Sequence, residues 1–578
     1  MPVFVFITVS LKDVLEAINR DDSDLSDLSE GEDLENKTQN EEVPDDDKDS
    51  DNDNDSDDEP LSNIANRRLL WKHVEEFSPN VIDFKNIPDS VDERTRWNTM
   101  DYMKQYLDEE FFEYMAFCTN ITSTSRTGKS LYTTAIELQH FIGASILMSS
   151  ISYPQLHMFW QKTLRLPAIA DVISRNRYFQ IRSSLKVVVD SDVTDDDKKL
   201  DRLWKVRPIM DRVRKGCLLL PRCRDLSIDE QMIPFTGACP LRRYVANKPN
   251  PIGLKNYVLA SPNGLVLDFI VDQGAGTYNH VPDQFKVGVG GAVIAHLAEG
   301  LTAGTHIFCD RYFTSFPLIE YMLSKDIYIT GTIMGNRVPK EIRKMSDDKS
   351  LARMGRGAHD MIVRQDEKIA FVKWFDNKPI MLVSACYGVV PEDLCCRWDK
   401  KGKKYVDVSR PVIIREYNAK MGGVDLCDRM LSHYRMKAKT KKWTIRTLMH
   451  FIDLSLTNAW IRYRADNIEL GTARKDILSF LRFRMDIAEA FLAASKEGST
   501  ETDTEDEQPP TKRICEQVPS VHRRLSSAKH MPEMDNCKNS SRCKNTGCSG
   551  KTRFRCMSCN VHLCIVADRN CFAAFHSK

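Results

Sequence analysis

Three short segments, far apart in the chain, each place an aspartate at the end of a regular element. Leu226-Ser227-Ile228-Asp229 alternates apolar and polar residues and reads as a short strand delivering Asp229 at its end. Thr305-His306-Ile307-Phe308-Cys309-Asp310 ends the same way, and in Gly422-Gly423-Val424-Asp425-Leu426-Cys427-Asp428 a glycine pair opens a helix. One such aspartate is ordinarily a solvated strand end or a helix cap. Three on separate elements can converge, and that requirement constrains the fold more than any other feature of the chain. Oxygen-only ligands suit magnesium or manganese rather than zinc, and two such ions about 4 Å apart can clamp the attacking and leaving oxygens of a phosphodiester. Asp428 lies three residues after Asp425 on the same helix face, either as an additional ligand or as a surface residue of the first turn.

The segments between the aspartates say how the chain returns. Tyr257-Val258-Leu259-Ala260, the turn residues Ser261-Pro262-Asn263-Gly264 and then Leu265 to Val271 read as a hairpin of two largely buried strands. A helix around Val293 to Leu301 leads to the strand ending at Asp310. Strand, hairpin, helix, strand is the order of an α/β ribonuclease H-like core, which holds the first two carboxylates on rigid elements. From about Asn336 to Arg410 runs such as Met361-Ile362-Val363 and Ile369 to Trp374 predict a β-rich insertion. Tyr102, Tyr106, Phe111, Phe112 and Met115 recur at near-helical spacing, and Ile136 to Met148 is apolar enough for a buried helix, so an all-α domain flanks the core.

The segments Ser227-Ile228-Asp229-Glu230, Phe308-Cys309-Asp310-Arg311-Tyr312-Phe313 and Tyr417-Asn418-Ala419-Lys420-Met421-Gly422-Gly423-Val424-Asp425 together resemble the three-aspartate core of the piggyBac family of DNA transposases. Lys248-Pro249-Asn250-Pro251-Ile252-Gly253-Leu254-Lys255 adds to the likeness, which covers roughly Trp97 to Arg474 and the cysteine-rich tail. The resemblance implies the same ribonuclease H-like fold, Mg2+ or Mn2+ held by Asp229, Asp310 and Asp425, and DNA cleavage followed by strand transfer. It further implies double-stranded DNA ending in terminal inverted repeats, TTAA targets, a homodimer and a nuclear location. A domesticated derivative that binds DNA or chromatin without cutting it is the alternative.

Arg435-Met436-Lys437-Ala438-Lys439-Thr440-Lys441-Lys442-Trp443 is a basic run with an aromatic, placed directly after the last aspartate, where phosphates would have to lie. Candidate DNA contacts are therefore Lys248, Lys255, Arg435, Lys437, Lys439, Lys441, Lys442 and Trp443. Trp443 either stacks on an unpaired base or belongs to the core of the following helix.

The end of the chain is the second site. Seven of the 17 cysteines fall in residues 537–578, together with His562 and His576. Thiolates and imidazoles at this density form closed tetrahedral zinc sites, and so short a segment has too little core to fold without them. By likeness to the family's cross-brace finger, Cys543, Cys548, Cys556, Cys559, Cys564, Cys571 and His576 fall at ligand positions for two Zn2+, with His562 or Cys537 to supply the eighth ligand. A ubiquitin-ligase type of interaction protein shares such a finger but leaves the three carboxylate elements unexplained.

Charge supports a polyanionic partner. Residues 21–60 hold 20 Asp and Glu against two lysines, Lys37 and Lys48, in a chain of formal charge zero, which leaves about +18 to the rest. The acidic tract is too poor in apolar residues to fold, and Ser29, Ser50 and Ser56 each precede an acidic residue by three positions, as acidophilic kinases require. The apolar opening, Met1 to Ser10, lacks a basic flank and is far shorter than the roughly 20 residues of a membrane span, so neither a signal peptide nor an anchor is expected, and no membrane. The ten cysteines before the tail form no disulfide framework.

The expected organisation is an acidic disordered region (1–63), a helical dimerisation and DNA-binding domain in two parts (64–223 and 436–496), a ribonuclease H-like core in two parts (224–335 and 411–435) around the insertion (336–410), a linker (497–536) and the zinc finger (537–578). Lys512-Arg513 in the linker is a short nuclear-import signal.

Overall fold

The sheet that carries the site is built around strand β2 (Asp225–Pro234), in which seven of ten residues are buried. A computed structural model describes residues 70–577, except 86–88, 247, 275–276, 279–280, 283–284, 341, 343–344, 401, 437–439, 496–529, 536–539 and 567. The acidic tract and the linker that carries Lys512-Arg513 lie outside these residues.

Strand β1 (Trp71–His73) comes first, followed by helices α1 (Thr99–Lys104), α2 (Glu109–Thr127), α3 (Ala135–Ile151), α4 (Arg175–Ser184) and α5 (Arg207–Leu218). Their starts are written locally. Asn98, Asp108, Thr134 and Ser174 each accept a backbone N–H of the first turn, and Gly128 closes α2 in the left-handed conformation. After β2 come β3 (Arg242–Tyr244), β4 (Ile252–Ala260), β5 (Val266–Val271), α6 (Gly288–Leu297), β6 (His306–Cys309), α7 (Phe316–Leu323) and β7 (Tyr328–Thr332). The expected hairpin is β4–β5, joined through a left-handed Gly264.

One ten-stranded sheet runs in the order β1-β8-β9-β10-β7-β6-β2-β4-β3, with β5 also paired to β4. Strands β2, β6 and β7 are parallel, β4 runs antiparallel to β2, and β5 antiparallel to β4. This is the ribonuclease H-like arrangement. The β-rich segment after β7 is less of an interruption than the sequence suggests. Strands β8 (His359–Arg364), β9 (Ala370–Phe375) and β10 (Pro379–Ser384) extend the same sheet through antiparallel pairing of β10 with β7. The reason is that these strands are apolar on both faces. Ile362, Phe371 and Val383 pack into the cluster that holds Ile228 and Ile307, while Val363, Val372 and Trp374 build a second cluster on the other side. Only β11 (Asp393–Asp399) and β12 (Lys404–Arg410) form a separate two-stranded sheet. Trp71–His73, expected in a helical region, is instead the edge strand beside β8.

Helices α8 (Val412–Lys420), α9 (Gly423–His433), α10 (Trp443–Glu469) and α11 (Phe480–Ala493) complete the body. Helices α3 and α11 pack so closely that a Cβ on Gly143 would meet the Ala488 carbonyl at 2.8 Å. Arg484 of α11 and Asp453 of α10 form a buried ion pair at 3.0 Å, both almost fully shielded. Among the described residues no helix is long and apolar enough to cross a membrane.

Candidate active site and metal centre

The first two aspartates meet because of strand register. In the parallel β2–β6 pair Ile228 stands opposite Cys309, so the next residues, Asp229 and Asp310, reach the same level on the same side of the sheet. Asp229 is not at the end of its own strand, contrary to the sequence expectation. Strand β2 runs on to Pro234 because β4 pairs with it from Ser227 to Pro234, whereas β6 stops at Cys309. Asp229 is thus the first β2 residue beyond the end of β6, where the sheet opens on one side.

Glycine delivers the third aspartate. A Cβ on Gly423 would come within 2.3 Å of the Ser261 carbonyl and 2.7 Å of Ser227 Oγ, so the first turn of α9 sits directly on β2 and the β4–β5 turn. Gly264 in that turn faces Leu426 and the Cys427 amide from the other side. Asp425 then lies exposed in the first turn, with Val424 and Cys427 buried behind it.

Electrostatics show that the carboxylates share one neighbourhood. Burial above all, with Glu230, Asp425 and Asp310 adding, holds Asp229 well above the ordinary carboxylate range against the pull of Lys248. Asp310 is raised too, first by burial and then by Glu230. Asp428 is pushed up to about 6 by burial, although Gln231 Nε2 donates to its Oδ1 at 2.6 Å. Asp229 Oδ1 accepts the Glu230 amide at 2.7 Å, Asp310 Oδ1 accepts the Tyr312 amide at 2.9 Å, and Glu230 Oε2 is buried with no partner. A set of mutually repelling oxygen donors, one of them orphaned, fits a hard divalent cation.

The lysines differ in place. Lys248 stands inside the acidic group, its Nζ donating to the Glu230 carbonyl at 3.2 Å and 3.8 Å from its carboxylate. Burial works against its charge, but Asp229, Glu230, Asp425 and Asp428 outweigh it and raise its pKa. Lys255 Nζ lies 4.3 Å from the Tyr312 ring centre and 4.8 Å from that of Tyr257, two residues from Asp310. Lys437 and Lys439 fall outside the described residues. Lys441 is exposed, Lys442 Nζ donates to the Ser183 carbonyl at the end of α4, and Trp443 starts α10 half-buried. Arg435 has a buried, unpartnered Nη1. Arg446, absent from the candidate list, donates to the Pro234 and Met436 carbonyls at 2.9 Å each and so ties α10 to the end of β2. The basic run is therefore partly a structural seam.

In the tail two ligand groups form, each with donor atoms within 4.8 Å of one another: Cys543, Cys548, Cys564 and Cys571, and His530, Cys556, Cys559 and His576. The two sets interleave along the chain as a cross-brace. The long spacing from Cys564 to Cys571 is absorbed by a small hairpin, Ile565–Val566 paired with Arg569–Asn570. His562 is the correction: its Nε2 faces Asp535 Oδ2 at 3.2 Å, away from both groups. Cys537 lies outside the described residues. The eighth donor is His530, which the sequence reading left in the linker, with Nδ1 3.4 Å from the sulfurs of Cys556 and Cys559. Pairing of Pro532–Met534 with Phe554–Cys556 brings it there. Its signal was the fold requirement for one more ligand, which spacing within the cysteine cluster could not supply. His576 Nδ1 donates to the Phe572 carbonyl at 2.8 Å, which leaves its buried, unpartnered Nε2 as the donor atom.

Order β5-β4-β2-β6-β7 with Asp229 inside β2 just past the end of β6, Asp310 directly after β6 and Asp425 on a following helix defines a ribonuclease H-like fold of the three-carboxylate transposase type. The family model described as Transposase IS4 matches residues 98–460, and this chain belongs to that family, the piggyBac-type transposases. Human (Homo sapiens) PiggyBac transposable element-derived protein 3 is 26% identical over 487 residues, 83% of this chain and 76% of that protein. Human PiggyBac transposable element-derived protein 2 is 30% identical over 363 residues, 61% of this chain and 59% of that protein. In fold, the chain is similar to a piggyBac transposase solved by cryo-EM as a synaptic complex with hairpin DNA, with TM-score 0.58, 21% identity, and 83% of this chain and 99% of that one covered.

Proposed function

We propose that this protein is a metal-dependent DNA transposase that cuts double-stranded DNA at terminal inverted repeats and joins the freed ends to new sites, at TTAA, as a homodimer in the nucleus. The observation that supports this most is the register that sets Asp229 beside Asp310, with Asp425 seated over them by Gly423. Asp229, Asp310 and Asp425 are the residues that would hold Mg2+ or Mn2+, with Asp428 beside them. Such ions supply an activated water or 3′-hydroxyl nucleophile and stabilise the leaving oxygen. The protein's own groups orient and charge the site. Strands β2 and β6 hold two carboxylates rigidly, and Lys248 keeps its proton among them, a cation able to meet a phosphate when the carboxylates are occupied. Lys255 over Tyr312, two residues from Asp310, and exposed Lys441 are cations available to a DNA backbone. The finger's two ligand groups, six thiols and two imidazoles, match zinc by donor type.

The test is cleavage and strand transfer on substrates carrying the inverted repeats that flank its gene. Wild type should act with magnesium or manganese. Asp229→Asn, Asp310→Asn and Asp425→Asn should each lose cleavage by at least about 100-fold while DNA binding persists, and Asp428→Asn should lose less. Binding without cleavage by the wild type would instead make this a domesticated DNA-binding derivative. A fluorescent fusion excluded from the nucleus would overturn the location.

A further inference from the structure

Behind the carboxylates lies a buried hydrogen-bonded chain that none of these roles uses. Gln231 follows Asp229 by two residues on the same face of β2 and is fully buried. Its Oε1 accepts from Asn256 Nδ2 on β4 at 3.1 Å and from His450 Nε2 on α10 at 3.0 Å, and its Nε2 donates to Asp428 Oδ1 on α9 at 2.6 Å. Three elements besides β2 thus meet at one amide. Asn256 is fully buried as well, and His450 nearly so.

The direction of this chain follows from the groups at its ends. An ionised carboxylate only accepts, so Gln231 must turn its NH2 to Asp428 and its oxygen to the other two. That requires a proton on His450 Nε2. Burial above all, with Arg435 and Arg446 nearby, holds His450 neutral, so the ring has one proton to place, and the Gln231 oxygen receives it. With an ionised Asp428 as the final acceptor the unit is self-consistent. Asp428 stands one turn beyond Asp425, and both lie within the field of Lys248.

We propose that Gln231, backed by His450 and Asn256, is a positioning residue: it grips one oxygen of Asp428 and so turns the other toward the cation held beside Asp425. This rests on the divalent-cation reading given above. Groups that orient a ligating carboxylate in this way typically change metal affinity about 10- to 100-fold when altered.

Full-length, zinc-loaded protein would be titrated with Mn2+ alone, without DNA, reading free Mn2+ by electron paramagnetic resonance and thermal unfolding in parallel. Gln231→Glu keeps the shape and the acceptor for His450 and Asn256 but turns a carboxyl oxygen on Asp428. Asp428→Asn keeps the acceptor for Gln231 and removes the ligand charge. Both variants should weaken Mn2+ binding about tenfold or more, and Asp428→Asn should do so with an unfolding temperature in the absence of Mn2+ no lower than wild type. Cleavage should return at high Mn2+. If the variants bind Mn2+ as tightly as a wild type that does bind it, the role of Gln231 and Asp428 is overturned while the three-aspartate site stands. A wild type that binds no Mn2+ overturns the cation reading and this proposal with it. Should Gln231→Glu fail to fold, Gln231→Met, which removes the grip on Asp428 without adding a carboxyl, decides by the same Mn2+ titration.

Discussion

Gly423 shows how much one residue carries here. Its missing side chain is the space in which α9 meets the Ser261 carbonyl, and backbone cannot step aside as a flexible side chain can. Gly423→Ala is therefore expected to cost about 1–3 kcal/mol, the usual price of overpacking, and to displace Asp425, measured as a lower denaturant midpoint together with weaker metal-dependent cleavage. His306 carries a second, independent signature. Burial, above all, lowers its pKa to about 4, although Asp225 pulls the other way. A histidine whose folded pKa lies below its unfolded value near 6.5 favours folding above that value and withdraws the contribution as pH falls through 6.5 toward 4. The full effect is about 3 kcal/mol, and buried His450 acts in the same direction. His306→Gln should flatten the fall in unfolding temperature between pH 6.5 and pH 4. An unchanged profile would show that His306 is not the group responsible.

At the scale of elements, the finger and the seam after α9 behave differently from what local composition suggests. Six thiols and two imidazoles interleave into two ligand groups, and the imidazole that completes the second comes from His530, outside the cysteine cluster. Zinc content should be two ions per chain, falling toward one in His530→Ala and staying at two in His562→Ala, as read by mass spectrometry of the native protein. A chelator should unfold the finger. Loss of zinc in His562→Ala with retention in His530→Ala would reverse the assignment. In the basic run Arg446 is committed to the Pro234 and Met436 carbonyls. Arg446→Ala should thus lower stability, whereas Lys441→Ala, exposed and without such bonds, should weaken DNA binding and reduce its salt dependence by about one unit of slope.

On the scale of the molecule, helices far apart in the chain are fastened together by a buried ion pair. Asp453 pairs with Arg484 and also accepts the Met436 amide at 2.9 Å, while Arg484 donates to the Tyr434 carbonyl and Ser149. This one group fastens α3, α10, α11 and the segment leaving α9. Asp453→Ala leaves a guanidinium buried without its counter-ion and should cost about 3–5 kcal/mol, most of it recovered when Arg484 is replaced by Met in the same protein. The charge asymmetry acts at this scale as well. Deleting residues 21–60 removes about 18 net negative charges and leaves a chain of about +18, so DNA affinity at low salt should rise, and the gain should fade as salt shortens the screening length to about 8 Å. Phosphorylation of Ser29, Ser50 or Ser56 should oppose it. Equal affinities at low salt would leave the tract a solubilising tail.

The sequence by itself determined the elements that bear the chemistry: alternation around Ile228 and the strand-like run around Ile307 marked the strands, Gly422-Gly423 marked the start of α9, and cysteine density marked the finger. These signals are local, written in period, glycine and donor type. Register and return were not local. That Asp229 lies in mid-strand depends on β4 pairing with β2 as far as Pro234, and that β8 to β10 continue the main sheet depends on apolar residues on both faces finding the two clusters the rest of the chain builds. His530 and the Gln231 chain became visible only once pairing between distant strands and helices brought their partners within hydrogen-bond reach. A sequence specifies which groups can bond, and tertiary packing alone decides which of them meet.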